Sequence, residues 1–113
     1  MDMTVTEIDG AVTRVQLQGR LDASGADRIG LRFTATLAGA GQKAVVDLGG
    51  VDYIASLGIR MLISAARTLA SKGGALALYG AGEMVQGVFD DAALGQLIPI
   101  VATEAEARAA VQG

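Results

Sequence analysis

Apolar and polar residues alternate from the start of the chain. Thr4-Val5-Thr6-Glu7-Ile8 and Ala11-Val12-Thr13-Arg14-Val15-Gln16-Leu17 follow the period of two expected of half-buried strands, and Asp9-Gly10 between them predicts a hairpin turn. In the second strand Val15 and Leu17 share one face while Arg14, Gln16 and Gln18 share the other, so one side meets a core and the other meets water or a partner. Gly19 is expected to end this strand. From Ala23 the period lengthens: Ala26, Ile29, Phe33 and Leu37 recur every three or four residues, which predicts an amphipathic helix. Ser24 and Asp27 resemble a capping pair at its start, and Gly39-Ala40-Gly41 closes it.

Lys43-Ala44-Val45-Val46-Asp47-Leu48 is nearly continuous in its apolar character and suits a buried central strand, released at Gly49-Gly50. After the connection Val51–Ala55, a helix from Ser56 to Ser71 places Ile59, Leu62, Ala66 and Leu69 on one stripe and stops at Lys72-Gly73-Gly74. Ala75–Tyr79 reads as another inner strand, and Met84, Val85, Val88 and Phe89 line a short helix. Ile98-Pro99-Ile100-Val101 is a last strand that its proline confines to an edge or to the first ladder positions. Thr103-Glu104-Ala105-Glu106 opens a C-terminal helix with a capping box. The order β-β-α-β-α-β-α-β-α predicts an α/β fold with a mixed sheet of about five strands covered by helices, in one domain over residues 1–113.

Composition narrows the chemistry. A chain of 113 residues, 51% of them apolar, is enough for one core, and scarce aromatics mean that core is filled by aliphatic side chains. The formal charge is −3 and the nine basic residues are scattered, which disfavours nucleic acid as a partner. With no Cys and no His, the chain lacks thiolate nucleophiles, imidazole bases and the usual zinc or iron ligands. No apolar run approaches the roughly 20 residues of a membrane span, so the expectation is a cytoplasmic protein without membrane insertion. No cofactor, metal site or catalytic residue is expected, and a carboxylate-bound metal would have only Asp22, Asp47 and Asp52 to draw on.

Ser56, at the start of the central helix, is the residue that stands out. Its simplest role is a helix N-cap. The same position offers free N–H groups and the positive end of the helix dipole to a phosphate, with Gly58 leaving the first turn open and Arg60 one turn further on. A phosphate there would also disturb a partner pressed against the same corner, which makes a binding switch physically reasonable. Leu57 and Met61 fall off the apolar stripe and are candidate docking residues, or else pack beneath a loop. Asp22 precedes a helix and suits a cap. Asp47 ends a buried strand, and Gly80-Ala81-Gly82 reads as a tight turn rather than a dinucleotide loop.

Three segments carry a resemblance: Gly19-Arg20-Leu21-Asp22, the stretch from Val45 through Ser56-Leu57-Gly58-Ile59-Arg60, and Gly95-Gln96-Leu97-Ile98-Pro99-Ile100. Together they resemble the STAS domain of anti-sigma factor antagonists. The resemblance implies a partner-switching regulatory protein in transcription control, not an enzyme, in which Ser56 is phosphorylated by a serine-kinase-type anti-sigma factor and restored by a serine phosphatase. It raises Asp22 from a cap to a participant in kinase docking; with Ser24, Gly58 and Arg60 and the off-stripe Leu57 and Met61 it completes the expected partner-binding set, in a monomer or weak dimer. Where the family has an acidic residue and a second hydroxyl around its serine, this chain has Ala55 and Leu57. Those departures keep open a second reading, a non-phosphorylated STAS subunit or scaffold of a transporter or signalling complex.

Overall fold

The computed structural model describes residues 1–8, 12–39 and 42–112. Ten elements follow one another: β1 (Asp2–Ile8), β2 (Val12–Leu21), α1 (Ala23–Thr36), β3 (Lys43–Ile54), α2 (Ser56–Ser71), β4 (Ala75–Tyr79), α3 (Glu83–Asp91), a short 3-10 turn η1 (Leu94–Gln96), β5 (Ile100–Val101) and α4 (Glu104–Gln112). The strands form one sheet in the order β1-β2-β3-β4-β5. β1 pairs antiparallel with β2, with Val5 opposite Val15, and the remaining neighbours are parallel. The expected mixed sheet and element order are therefore present, while Asp9-Gly10 and Ala40-Gly41 lie outside the described residues.

Each strand divides its side chains between two cores. Val15, Leu17, Ala44, Val46, Leu48, Leu76 and Leu78 join Ile29 and Phe33 of α1, Leu62 and Leu69 of α2, and Val85 and Phe89 of α3. The alternate residues Val45, Ala77 and Tyr79, with Val12, pack against Ala107 and Val111 of α4. α4 is capped as its sequence predicts: the Thr103 hydroxyl accepts from the Glu106 amide at 3.2 Å and donates to the Glu106 carboxylate at 3.0 Å. Glu104 ties this helix to the sheet, accepting from the Arg14 guanidinium at 2.8 Å and from the Tyr79 hydroxyl at 3.0 Å. The Arg14 bond holds the Glu104 carboxyl below the ordinary glutamate range, and burial first, then that carboxylate, pushes the Tyr79 phenol well up.

Two strands run further than their glycines suggest. β2 continues through Gly19 to Leu21, and β3 continues through Gly49-Gly50 to Ile54. The pairing shows why. Gln16 faces Asp47 but Gln18 faces Gly50, and Gly19 faces Val51 but Arg20 faces Tyr53, so β3 carries one extra residue at each of two bulges. Its core-facing residues are accordingly Ala44, Val46 and Leu48, then Val51 and Ile54, with the interval widening from two to three. Asp47 steadies the first bulge by accepting from the Gly49 amide at 2.8 Å. A side chain at Gly50 would collide with Gln18, its Cβ falling 2.6 Å from Cγ. At the far edge β5 is shorter than expected: Pro99 lies just outside it and contributes only its carbonyl, which accepts from the Leu78 amide at 2.9 Å.

Candidate functional site

The ends of β2 and β3 deliver α1 and α2 to one corner. Leu21 faces Ile54, and the Leu21 carbonyl accepts from the Ala55 amide at 3.0 Å, so Asp22 and Ser56 emerge side by side from adjacent strands. α2 is seated there by Gly58, which is buried against Leu21 and Ile54; a Cβ on it would lie 2.7 Å from Leu21 Cγ and 2.8 Å from the Leu21 carbonyl oxygen. This approach turns the line Gly58, Leu62, Ala65, Leu69 toward the sheet. Ile59 and Ala66, expected on that stripe, are half-buried at its flank.

Ser56 is the first helical residue of α2 and is exposed. The expected capping role falls to Ala55: its backbone is extended, its carbonyl accepts the first helical bond from the Ile59 amide at 3.1 Å, and it has no side-chain oxygen to cap with. The Ser56 hydroxyl is thus uncommitted among the described residues, beside a helix end whose first amides have no helical acceptor. Leu57 is 44% exposed, Arg60 is exposed one turn on, and Ser64 and Arg67 continue that outer face. Two expected contact residues lie elsewhere. Gly58 is beneath the helix, and Met61 packs against the main core, because the residues between the outer face and the buried line point sideways.

Asp22 caps α1. Its Oδ1 accepts from the Gly25 amide at 2.8 Å, and that bond first, with a smaller contribution from Arg20, holds its carboxyl below the ordinary aspartate range. The expected Ser24–Asp27 pair therefore does not cap this helix; Ser24 is exposed in its first turn. Three further residues shape the corner, and sequence reading gave them no role there. The Arg20 guanidinium stacks over the Tyr53 ring, 4.3 Å from its centroid, with its Nε 3.6 Å from Asp22. Gly25 presses so closely on β2 that a Cβ would lie 2.2 Å from the Arg20 carbonyl oxygen. The Arg20–Tyr53 pairing exists only because the second bulge shifts the register, so alternation alone could not have revealed it. Among the described residues no three acidic side chains converge as a metal site, and no helix is long and apolar enough to cross a membrane.

The family model described as "Mlab, STAS domain" matches residues 4–101. BtrV of Bordetella bronchiseptica, provisionally named an anti-sigma factor antagonist, is 32% identical over 110 residues, covering 97% of this chain and 93% of its own. The chain belongs to the STAS-domain family of anti-sigma factor antagonists. The fold of this STAS domain is also that of solved relatives. An anti-sigma-factor antagonist (STAS) domain protein from Planctomyces limnophilus superposes with a TM-score of 0.88 at 24% identity, over 100% of both chains. The Bacillus cell fate determinant SpoIIAA, in its phosphorylated form, superposes with a TM-score of 0.70 at 20% identity, over 94% of this chain and 96% of its own.

Proposed function

We propose that this STAS domain is a cytoplasmic, non-catalytic partner switch: unmodified, it binds a serine-kinase-type anti-sigma factor through the Ser56 corner, and phosphorylation of Ser56 releases that partner until a serine phosphatase restores it. The observation that carries this reading is the exposed Ser56 hydroxyl, bound to no other group among the described residues, at the mouth of α2 and next to Asp22. Phosphorylation adds about −1.5 to −2 charges at neutral pH. Amides and Arg60 accommodate that charge within the domain, while Leu57 and any apolar partner surface against it lose a favourable contact. A carboxylate partner-docking role for Asp22 fits the same corner, since Asp22 stays ionised at neutral pH and its second oxygen faces outward toward Arg20. That SpoIIAA exists in a phosphorylated form supports the assignment of the modification to this fold. Leu57 in place of a second hydroxyl leaves Ser56 as the one hydroxyl residue in the first turn of α2.

The test is incubation with ATP and the serine kinase of the same cell, read by intact mass. One phosphoryl group on the wild type and none on Ser56→Ala is the expected result. An unmodified chain, under conditions that fully modify a control antagonist, overturns the switch and favours a STAS subunit of a transporter or scaffold.

A further inference from the structure

The outer face of α2 beyond the Ser56 corner holds an open trough of about 400 Å³ between Arg60, Ile63, Ser64, Arg67 and Thr68. It runs into a smaller hollow of about 120 Å³ where Ile63 and Arg67 meet Leu97, which is 57% exposed on the loop after η1. The trough carries Ile63 between hydroxyl and guanidinium groups, its charge is of one sign, and the adjoining hollow is lined mainly by Ile63, Ala66, Ala70, Leu97 and Ile98. α2 contains two arginines and no carboxylate over its 16 residues, in a chain whose net charge is −3. Neither Arg60 nor Arg67 forms an ion pair among the described residues. Seven residues apart, they stand on one face of the helix about 10 Å from each other along its axis.

From this geometry we infer that the partner docks an acidic amphipathic helix along α2, with carboxylates matching Arg60 and Arg67 and aliphatic residues resting on Ile63 and Leu97. The inference rests on the proposed binding at the Ser56 corner and extends that footprint, because Arg60 belongs to both. A helix is the fitting occupant for a physical reason: the face of α2 offers no free strand edge, so the incoming backbone must satisfy its own hydrogen bonds. Two carboxylates seven residues apart on such a helix repeat the spacing of the two guanidiniums. A second copy of this chain fits poorly, since a two-fold contact through this face would set arginines against arginines.

The test places p-benzoylphenylalanine at Leu57 or at Ser64 in the complete protein in its own cell, with irradiation and sequencing of the joined peptides. Both positions should trap the same protein. The peptide joined at position 64 should be helix-patterned, with Asp or Glu at seven-residue spacing beside Leu, Ile or Val. Arg60→Glu with Arg67→Glu should lower its yield about tenfold or more. Arg28→Glu with Arg32→Glu, on α1, should not, and matching circular dichroism spectra show that both pairs fold. Joining at 57 without joining at 64 overturns the inference and spares the corner. A basic or uncharged peptide at 64, this chain itself at 64, or a yield indifferent to the α2 reversals overturns it too. No adduct at either position removes the corner reading along with it.

Discussion

Replacing Gly58 by Ala tests how α2, and with it Ser56, is seated on the sheet. The added methyl would lie 2.7 Å from Leu21 Cγ, 2.8 Å from the Leu21 carbonyl oxygen and 3.1 Å from Ile54 Cγ1. The Leu21 side chain is fully buried in the main core and can yield only by displacing its neighbours. Its carbonyl is held as well, because it already accepts from the Ala55 amide and belongs to the β2–β3 ladder. The start of α2 must therefore lift by several tenths of an ångström to reach ordinary contact. Overpacking of this kind costs about 1–3 kcal/mol. Alanine gains at most about 1 kcal/mol over glycine in helix propensity. From the middle of the overpacking range the net loss is about 1 kcal/mol, or roughly 4 °C in Tm for a chain of this size. The matched control is Gly30→Ala in α1, where a Cβ meets nothing within 4 Å and propensity alone acts, raising stability by up to about 1 kcal/mol. Urea unfolding followed by far-UV circular dichroism measures both at an unchanged m-value. A Gly58→Ala protein as stable as wild type, or a Gly30→Ala protein that loses as much, would refute the seating argument.

Three further outcomes follow from the polar contacts. Glu104 and Asp22 have carboxyl pKa values below the ordinary range, so the unfolded chain binds more protons than the native one in acid, and their stabilisation, present above the ordinary values of about 4, is lost as pH falls below them. The wild type should lose stability over that window in a pH series of urea midpoints, and Glu104→Gln should flatten the loss; an unchanged slope contradicts the tie between α4 and the sheet. At the alkaline end the raised Tyr79 phenol keeps its proton while the unfolded chain ionises, so stability should decline above about pH 10, and in Tyr53→Phe the tyrosinate absorbance should rise together with unfolding. Tyrosinate forming well before unfolding contradicts this. Asp22→Ala should speed hydrogen exchange at the Gly25 amide while leaving core amides of β3 protected; equal protection at Gly25 would show that Asp22 is not the cap.

Much of this architecture is legible along the chain because one face of nearly every element is buried. The alternation of β1 and β2, the helical period through Ile29 and Phe33, and the Thr103–Glu106 box all describe local choices that the final packing leaves intact. The ends of β2 and β3 were not legible. Two bulges change the interval between core residues from two to three, and a period broken in this way looks like a loop when read locally. Those same bulges build the corner, pairing Arg20 with Tyr53 and setting Leu21 against Ala55. The place of Ser56 on an exposed helix start was foreseeable from the residues around it. Which neighbours share its surface was not, because the rotation of α2 depends on how closely Gly58 approaches a strand thirty-odd positions earlier, and that rotation buries Gly58 and turns Met61 against the core.

The switch itself is tested most directly by the affinity of the partner for two forms of the chain that differ only at Ser56, with phosphoserine installed during synthesis so that no kinase is needed. Isothermal titration should show binding by the unmodified protein and by Ser56→Ala, and a loss of about a hundredfold or more for the phosphorylated form, in keeping with a charge set against a desolvated contact. Equal affinity for both forms would contradict the account.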